Sequence, residues 1–93
     1  MFDSKREYIR WQQLKIMQAA GKIHGLKRQV SYTLVPAQRS STGTERSVKY
    51  VADFVYEKDG QTVVEDAKGY KTPEYVIKRK LMLYIHGIEI QEI

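Results

Sequence analysis

Residues 48–69 read VKYVADFVYEKDGQTVVEDAKG, and the reading of this stretch decides the fold. Two alternating apolar runs flank Asp59-Gly60, and Asp-Gly in that setting is the strongest short-range hairpin signal. If those two residues form the loop, Lys58 faces Gln61, Asp53 lands opposite Asp66, and Val51 lands opposite Lys68. Directly paired side chains share a sheet face, as do residues two apart on one strand. Asp53, Asp66 and Lys68 then lie on one face and Glu65 on the other. A three-residue loop with a bulge would shift the register by one and separate the two aspartates.

Like charges opposite each other destabilise a sheet. Two carboxylates there call for a reason, and a divalent cation supplies one. Hard cations take carboxylate oxygens, and Mg²⁺ often uses one or two of them while keeping several waters. The plainer alternative is a solvent-exposed face. Tyr50, Ala52, Phe54 and Tyr56 mark one side of the first strand, and Val51, Asp53 and Val55 the other. With both sides largely apolar the strand reads as central and covered on two faces. Asp53 is then a partly buried carboxylate, which is costly unless paired or ligating.

Outward from the hairpin, residues 3–20 read as a helix. Ser4-Lys5-Arg6-Glu7 fits a capping box. Tyr8, Trp11, Leu14 and Met17 make its apolar stripe, Ile9, Ile16 and Ala20 widen it, and Gly21 closes it. Glu7 lies on or beside that stripe, either as a helix cap or reaching toward the acidic pair. Leu26–Val35 alternates as a strand that Pro36 ends. Residues 36–47 read as a long polar loop, with Arg39 and Arg46 as candidate phosphate contacts on an otherwise solvated segment. Thr72, Pro73 and Glu74 announce a second helix. Its expected buried stripe is Val76, Ile77, Leu81, Tyr84 and Ile85, and Gly87 ends it. Residues 88–93 read as a last strand, parallel to its neighbour.

The chain has 93 residues, net charge +5 and no cysteine, with a pI near 9.5. That describes one domain, 1–93, with no disulfide framework and no Cys-based zinc site. His24 and His86 read as loop or helix-end residues. There is no apolar leader and no apolar run of the ~20 residues that a membrane span needs. A cytoplasmic protein is expected. The basic balance favours a polyanion, most commonly nucleic acid. A basic chain with an acidic cluster in one hairpin suits a nuclease, which holds a metal against a phosphate backbone.

The order of elements, αβββαβ, and the spacing of Asp53 from Asp66-Ala67-Lys68 resemble the PD-(D/E)XK nuclease superfamily, which includes type II restriction enzymes and archaeal Holliday-junction resolvases. Ala52 stands where the superfamily's name has proline. More narrowly, FDSKREYIRWQQL, LVPAQ, VKYVADFVYEKDG and VVEDAKGYKTPEYVIKRKL resemble a small phage-encoded family of resolvase-like endonucleases. The resemblance implies an α/β (α+β) restriction-endonuclease-like core, a mixed four-stranded sheet flanked by two helices. It implies a divalent-metal-dependent DNA endonuclease, structure-selective toward branched DNA, working in a host cytoplasm. Asp53, Asp66, the backbone carbonyl of Ala67 and Glu7 would hold Mg²⁺, with Mn²⁺ as substitute. Lys68 would orient the attacking water or stabilise charge; its alternative is a plain ion pair with Asp66. Lys71 and Lys78, at the start of the second helix, are candidate DNA contacts. Two symmetric cuts would call for a homodimer. The rivals are a non-catalytic DNA-binding module of the same fold and a nuclease inhibitor that borrows it.

Overall fold

The computed structural model describes Phe2 and residues 4–93. Helix α1 spans Lys5–Ala19. The expected start at Asp3 lies outside the described residues. Six strands follow: β1 His24–Val35, β2 Gln38–Ser40, β3 Gly43–Glu45, β4 Val48–Lys58, β5 Gln61–Asp66 and β6 Gln91–Glu92, with helix α2, Pro73–His86, between the last two. The main sheet runs β1-β4-β5-β6, antiparallel except for the parallel β5–β6 pair. It is an α+β fold: two helices, a mixed four-stranded sheet and a small separate hairpin.

Local chemistry places most of these boundaries. Ser4 holds an extended backbone and its Oγ accepts from the Glu7 N–H at 3.1 Å. Gly21, at φ +75°, closes α1: its N–H bonds to Gln18 O and the Lys22 N–H to Met17 O, a Schellman pair. Thr72 Oγ1 accepts from the Tyr75 N–H, and Pro73 follows in the first turn of α2. The hairpin turn has φ +52° at Asp59 and +78° at Gly60, a primed two-residue turn. The register runs from Lys58↔Gln61 to Phe54↔Glu65, as expected for that turn, so the bulged alternative is overturned.

Four expectations need correction. Residues 36–47 are not one long loop: β2 and β3 pair in a short hairpin, every residue of which is exposed. The buried positions of α2 are Tyr75 and Met82, one helical face, whereas Ile77 and Tyr84 stand on the opposite face at 59% and 88% exposure. On α1 the inward line is Glu7 and Leu14, and Tyr8, Ile9 and Ile16 are exposed. Apolar character alone did not say which of two competing stripes would face the sheet. The fourth correction concerns β4. Tyr50 and Ala52 pack with Val64, Tyr75 and Met82 on the α2 side, and Val55 joins them. Phe54 and Tyr56 pack with Leu14 and Ile23 on the α1 side. Strict alternation would put Tyr50, Ala52, Phe54 and Tyr56 on one face, so the strand switches faces at Asp53.

Strand β1 does the same at the same level. Leu26 packs on the α1 side, whereas Tyr32 and Leu34, of the same parity, pack on the α2 side. Between them Gln29 adopts φ +55°. A left-handed backbone at a non-glycine residue costs about 1–2 kcal/mol. Because both strands switch together, the register is unchanged across the break, Arg28↔Phe54 on one side and Val30↔Ala52 on the other. One long ribbon therefore serves both helices, each on its own face.

Candidate functional site

The acidic pair sits at this switch. The β4–β5 ladder ends at Phe54↔Glu65, so Asp53 and Asp66 are not a backbone pair, and Lys68, beyond the end of β5, does not face Val51. Instead the Asp53 Oδ2 accepts from the Ala67 N–H at 2.8 Å. Asp66 pairs on its other side with Glu92 of β6, and its carbonyl accepts from the Ile93 N–H. The two carboxylates are still brought together, through a side-chain bond across the splayed ends of the strands rather than through the ladder.

Asp66 is fully buried. Its Oδ2 accepts a 2.6 Å bond from the Tyr50 hydroxyl. Its Oδ1 has no hydrogen-bond partner, and the Lys68 ammonium lies 3.6 Å away. Burial lifts the Asp66 carboxyl above the usual carboxylate range; the Tyr50 bond opposes this, the nearby Asp53 adds to it, and Lys68 opposes it. Burial, and then the bond to Asp66, push the Tyr50 phenol far up, so it remains a donor at any physiological pH. Buried polar atoms are seldom left unpaired. An orphaned carboxylate oxygen beside a second carboxylate and an ammonium suits a divalent cation by its donor chemistry.

Glu7, also buried, takes long contacts of 3.4 Å from Arg28 Nη2 and from Gln29 Nε2. The same Gln29 nitrogen lies 3.5 Å from Asp53 Oδ1. Glu7 therefore reaches the acidic pair by way of Gln29. Among the described residues no three His, Cys, Asp or Glu side chains converge closely enough to form a metal cluster. The donors assembled are Asp53 and Asp66, adjacent to the Ala67 backbone. Glu65, as expected, points away: Arg10 holds it with bonds of 2.8 and 2.7 Å, and the Tyr56 hydroxyl donates to it. The Tyr56 phenol is pushed up to about 12, by burial and then by that bond. This cluster grips β5 on its α1 side, one residue before Asp66.

A cleft of about 270 Å³ opens between β4 and the start of α2, lined by Tyr50, Lys68, Thr72, Glu74, Tyr75 and Lys78 among others; neither Asp53 nor Asp66 lines it. Lys68 Nζ lies 5.4 Å from the centre of the Tyr75 ring. Lys78 lines the cleft and also pairs with Glu74 at 3.1 Å. Lys71 lies 3.8 Å from Glu92, which also accepts from Tyr75 and Arg79. The bond from Tyr75, followed by those two cations, holds the Glu92 carboxyl low. Arg39 and Arg46 are not brought to the site. They belong to the exposed β2–β3 region, beyond Val48 and roughly 17 Å along the strand from Asp53 at ~3.3 Å per residue.

Sequence reasoning did not anticipate Gln29, Tyr50 or Glu92. Nothing in the sequence marks Gln29 as left-handed, and alternation makes Tyr50 one of four residues on an apolar face. Neither helix among the described residues is long and apolar enough to cross a membrane. The family model of DUF1064, described as "Protein of unknown function", matches residues 1–90. No curated protein and no solved structure matches the chain.

Proposed function

This chain belongs to the DUF1064 family, and we propose that it is a divalent-metal-dependent DNA endonuclease, resolvase-like and selective for branched DNA. The observation that carries this is the buried Asp66 Oδ1, without a hydrogen bond, facing Lys68 at 3.6 Å beside Asp53. The PD-(D/E)XK resemblance of Asp53 and Asp66-Ala67-Lys68, in this order of elements, supports it. So does the net charge of +5 on the chain.

Asp53, Asp66 and the Ala67 carbonyl would hold Mg²⁺ or Mn²⁺. Such a cation neutralises charge on the phosphoryl group and acidifies a bound water. Tyr50 fixes Asp66 through Oδ2, leaving Oδ1 turned to the site. The Lys68 ammonium stands where it can orient the attacking water and stabilise the charge that develops on phosphate oxygens. The cleft beside it holds Lys68 and, at the start of α2, Lys78 paired with Glu74; the Lys68 ammonium and the helix N–H groups favour an anion there. Contacts there position a backbone without reading sequence. Paired cuts across a junction would need two copies of the chain.

The test is nicking of a four-way junction and of linear duplex, with and without Mg²⁺, by the natural protein and by Asp53→Asn. The expected result is Mg²⁺-dependent nicking of the junction that Asp53→Asn abolishes while the protein stays folded. Junction binding without any cleavage or Mn²⁺ uptake would refute it and favour a non-catalytic DNA-binding module. One observation leans toward that second reading: no three acidic or histidine side chains converge among the described residues.

A further inference from the structure

Gln29 is the one described non-glycine residue outside the hairpin turn with positive φ, and it sits mid-strand. Strained backbone of this kind gathers at functional sites, where surrounding structure over-determines it. Here it aims one carboxamide nitrogen between two carboxylates, 3.4 Å from Glu7 Oε1 and 3.5 Å from Asp53 Oδ1. Both contacts are long for N–H···O bonds, whose usual length is about 2.9–3.0 Å. The amide spans a gap between two acids without drawing either one in. A neutral donor doing this lessens their mutual repulsion, which is also what a cation would do, far more strongly.

We infer that Gln29 is a positioning residue for the cation site: its amide holds Glu7 and Asp53 at a fixed separation, and a divalent cation must displace it to bring Glu7 in beside Asp53 and Asp66. This rests on the metal reading given above. It accounts for Glu7, which is buried and acidic, pairs with Arg28 through the same oxygen, and is linked toward Asp53 by the Gln29 amide. It also accounts for the backbone strain, since a relaxed extended residue at this position would point its side chain elsewhere.

Gln29→Gly separates the two roles of the residue. Glycine adopts φ +55° freely, so the fold keeps its shape while the amide is lost. The assay is Mn²⁺ titration by calorimetry, with melting in chelator as a control. Gln29→Gly should bind Mn²⁺ about fivefold more tightly than the natural protein, because two long contacts to charged acceptors no longer compete. Gln29→Asn, whose amide is one methylene shorter, should shift affinity the same way by less. In a Glu7→Gln background Gln29→Gly should bring no gain. Equal or weaker Mn²⁺ binding by Gln29→Gly, beside measurable binding by the natural protein, would overturn the inference and leave the metal site standing. Absence of Mn²⁺ binding in every variant would remove both.

Discussion

Tyr50→Phe removes one oxygen atom and leaves the packing of the ring untouched, so its effect isolates a single bond. That bond runs from the Tyr50 hydroxyl to Asp66 Oδ2 at 2.6 Å, with both residues buried. A hydrogen bond to a charged acceptor contributes about 1.5–3 kcal/mol net. The other Asp66 oxygen has no hydrogen bond and only the Lys68 ammonium at 3.6 Å, which does not reach Oδ2 to replace the lost donor. Taking ~2 kcal/mol, and ~4–8 °C per kcal/mol for a domain of this size, the melting temperature should fall by about 10 °C at pH 7. The deficit should depend on pH. Burial raises the Asp66 carboxyl in the native state, so between its unfolded and native values the native chain binds more protons, and stability falls as pH rises through the native value. Losing the Tyr50 donor raises that value further. The gap between variant and natural protein should therefore be widest at neutral pH and shrink as Asp66 takes up its proton in acid. Urea unfolding in chelator at pH 7 and at lower pH measures it. A melting temperature within about 2 °C of the natural protein, or a gap that stays constant with pH, would refute the reasoning.

Lys68→Ala should abolish nicking at saturating Mg²⁺ while leaving Mn²⁺ binding at least as tight, since it takes a competing cation from 3.6 Å beside Asp66 Oδ1; weakened Mn²⁺ binding would contradict the role given to it. Arg10→Ala strips the buried Glu65 of a two-point partner. Because Arg10 is partly exposed, the cost should be about 2–3 kcal/mol, below that of breaking a wholly buried pair, read by urea unfolding at neutral pH. Gly60→Ala forces a side chain onto φ +78° and should cost about 1 kcal/mol by the same measurement, with an unchanged circular dichroism spectrum.

The hairpin was legible because Asp-Gly supplies the two positive φ values that a primed turn requires, and the turn carries the register with it. The helix starts were legible for a similar reason: Ser4 and Thr72 accept from first-turn N–H groups that have no partner within the helix. What alternation could not reveal was the face switch, because parity is blind to a half-turn in the backbone, and Gln29 has no sequence mark of φ +55°. The same blindness hid Tyr50, which the switch turns toward Asp66. On α2 the apolar residues form two faces, and the choice of Tyr75 and Met82 depends on what the sheet offers opposite them. The short β2–β3 pair is polar throughout and gave no hydrophobic signal at all. Of the site, the nearness of Asp53, Asp66 and Lys68 was anticipated but not its cause: the ladder stops at Phe54↔Glu65, and the Asp53 bond to the Ala67 N–H joins the strands beyond it.

The paired reversal of β1 and β4 at Gln29 and Asp53 has a mechanical meaning. Each helix rests on an opposite side of the ribbon and on opposite sides of that crossing, as two hands grip a towel to wring it. The two helices are also tied along the far edge of the sheet, α2 by Tyr75 and Arg79 to Glu92 and α1 by Arg6 to the carbonyl of Ile93, so the crossing is clasped on its open side. Asp53 stands at that crossing and Asp66 beside it, so a twist of the ribbon would change the gap between the two acids.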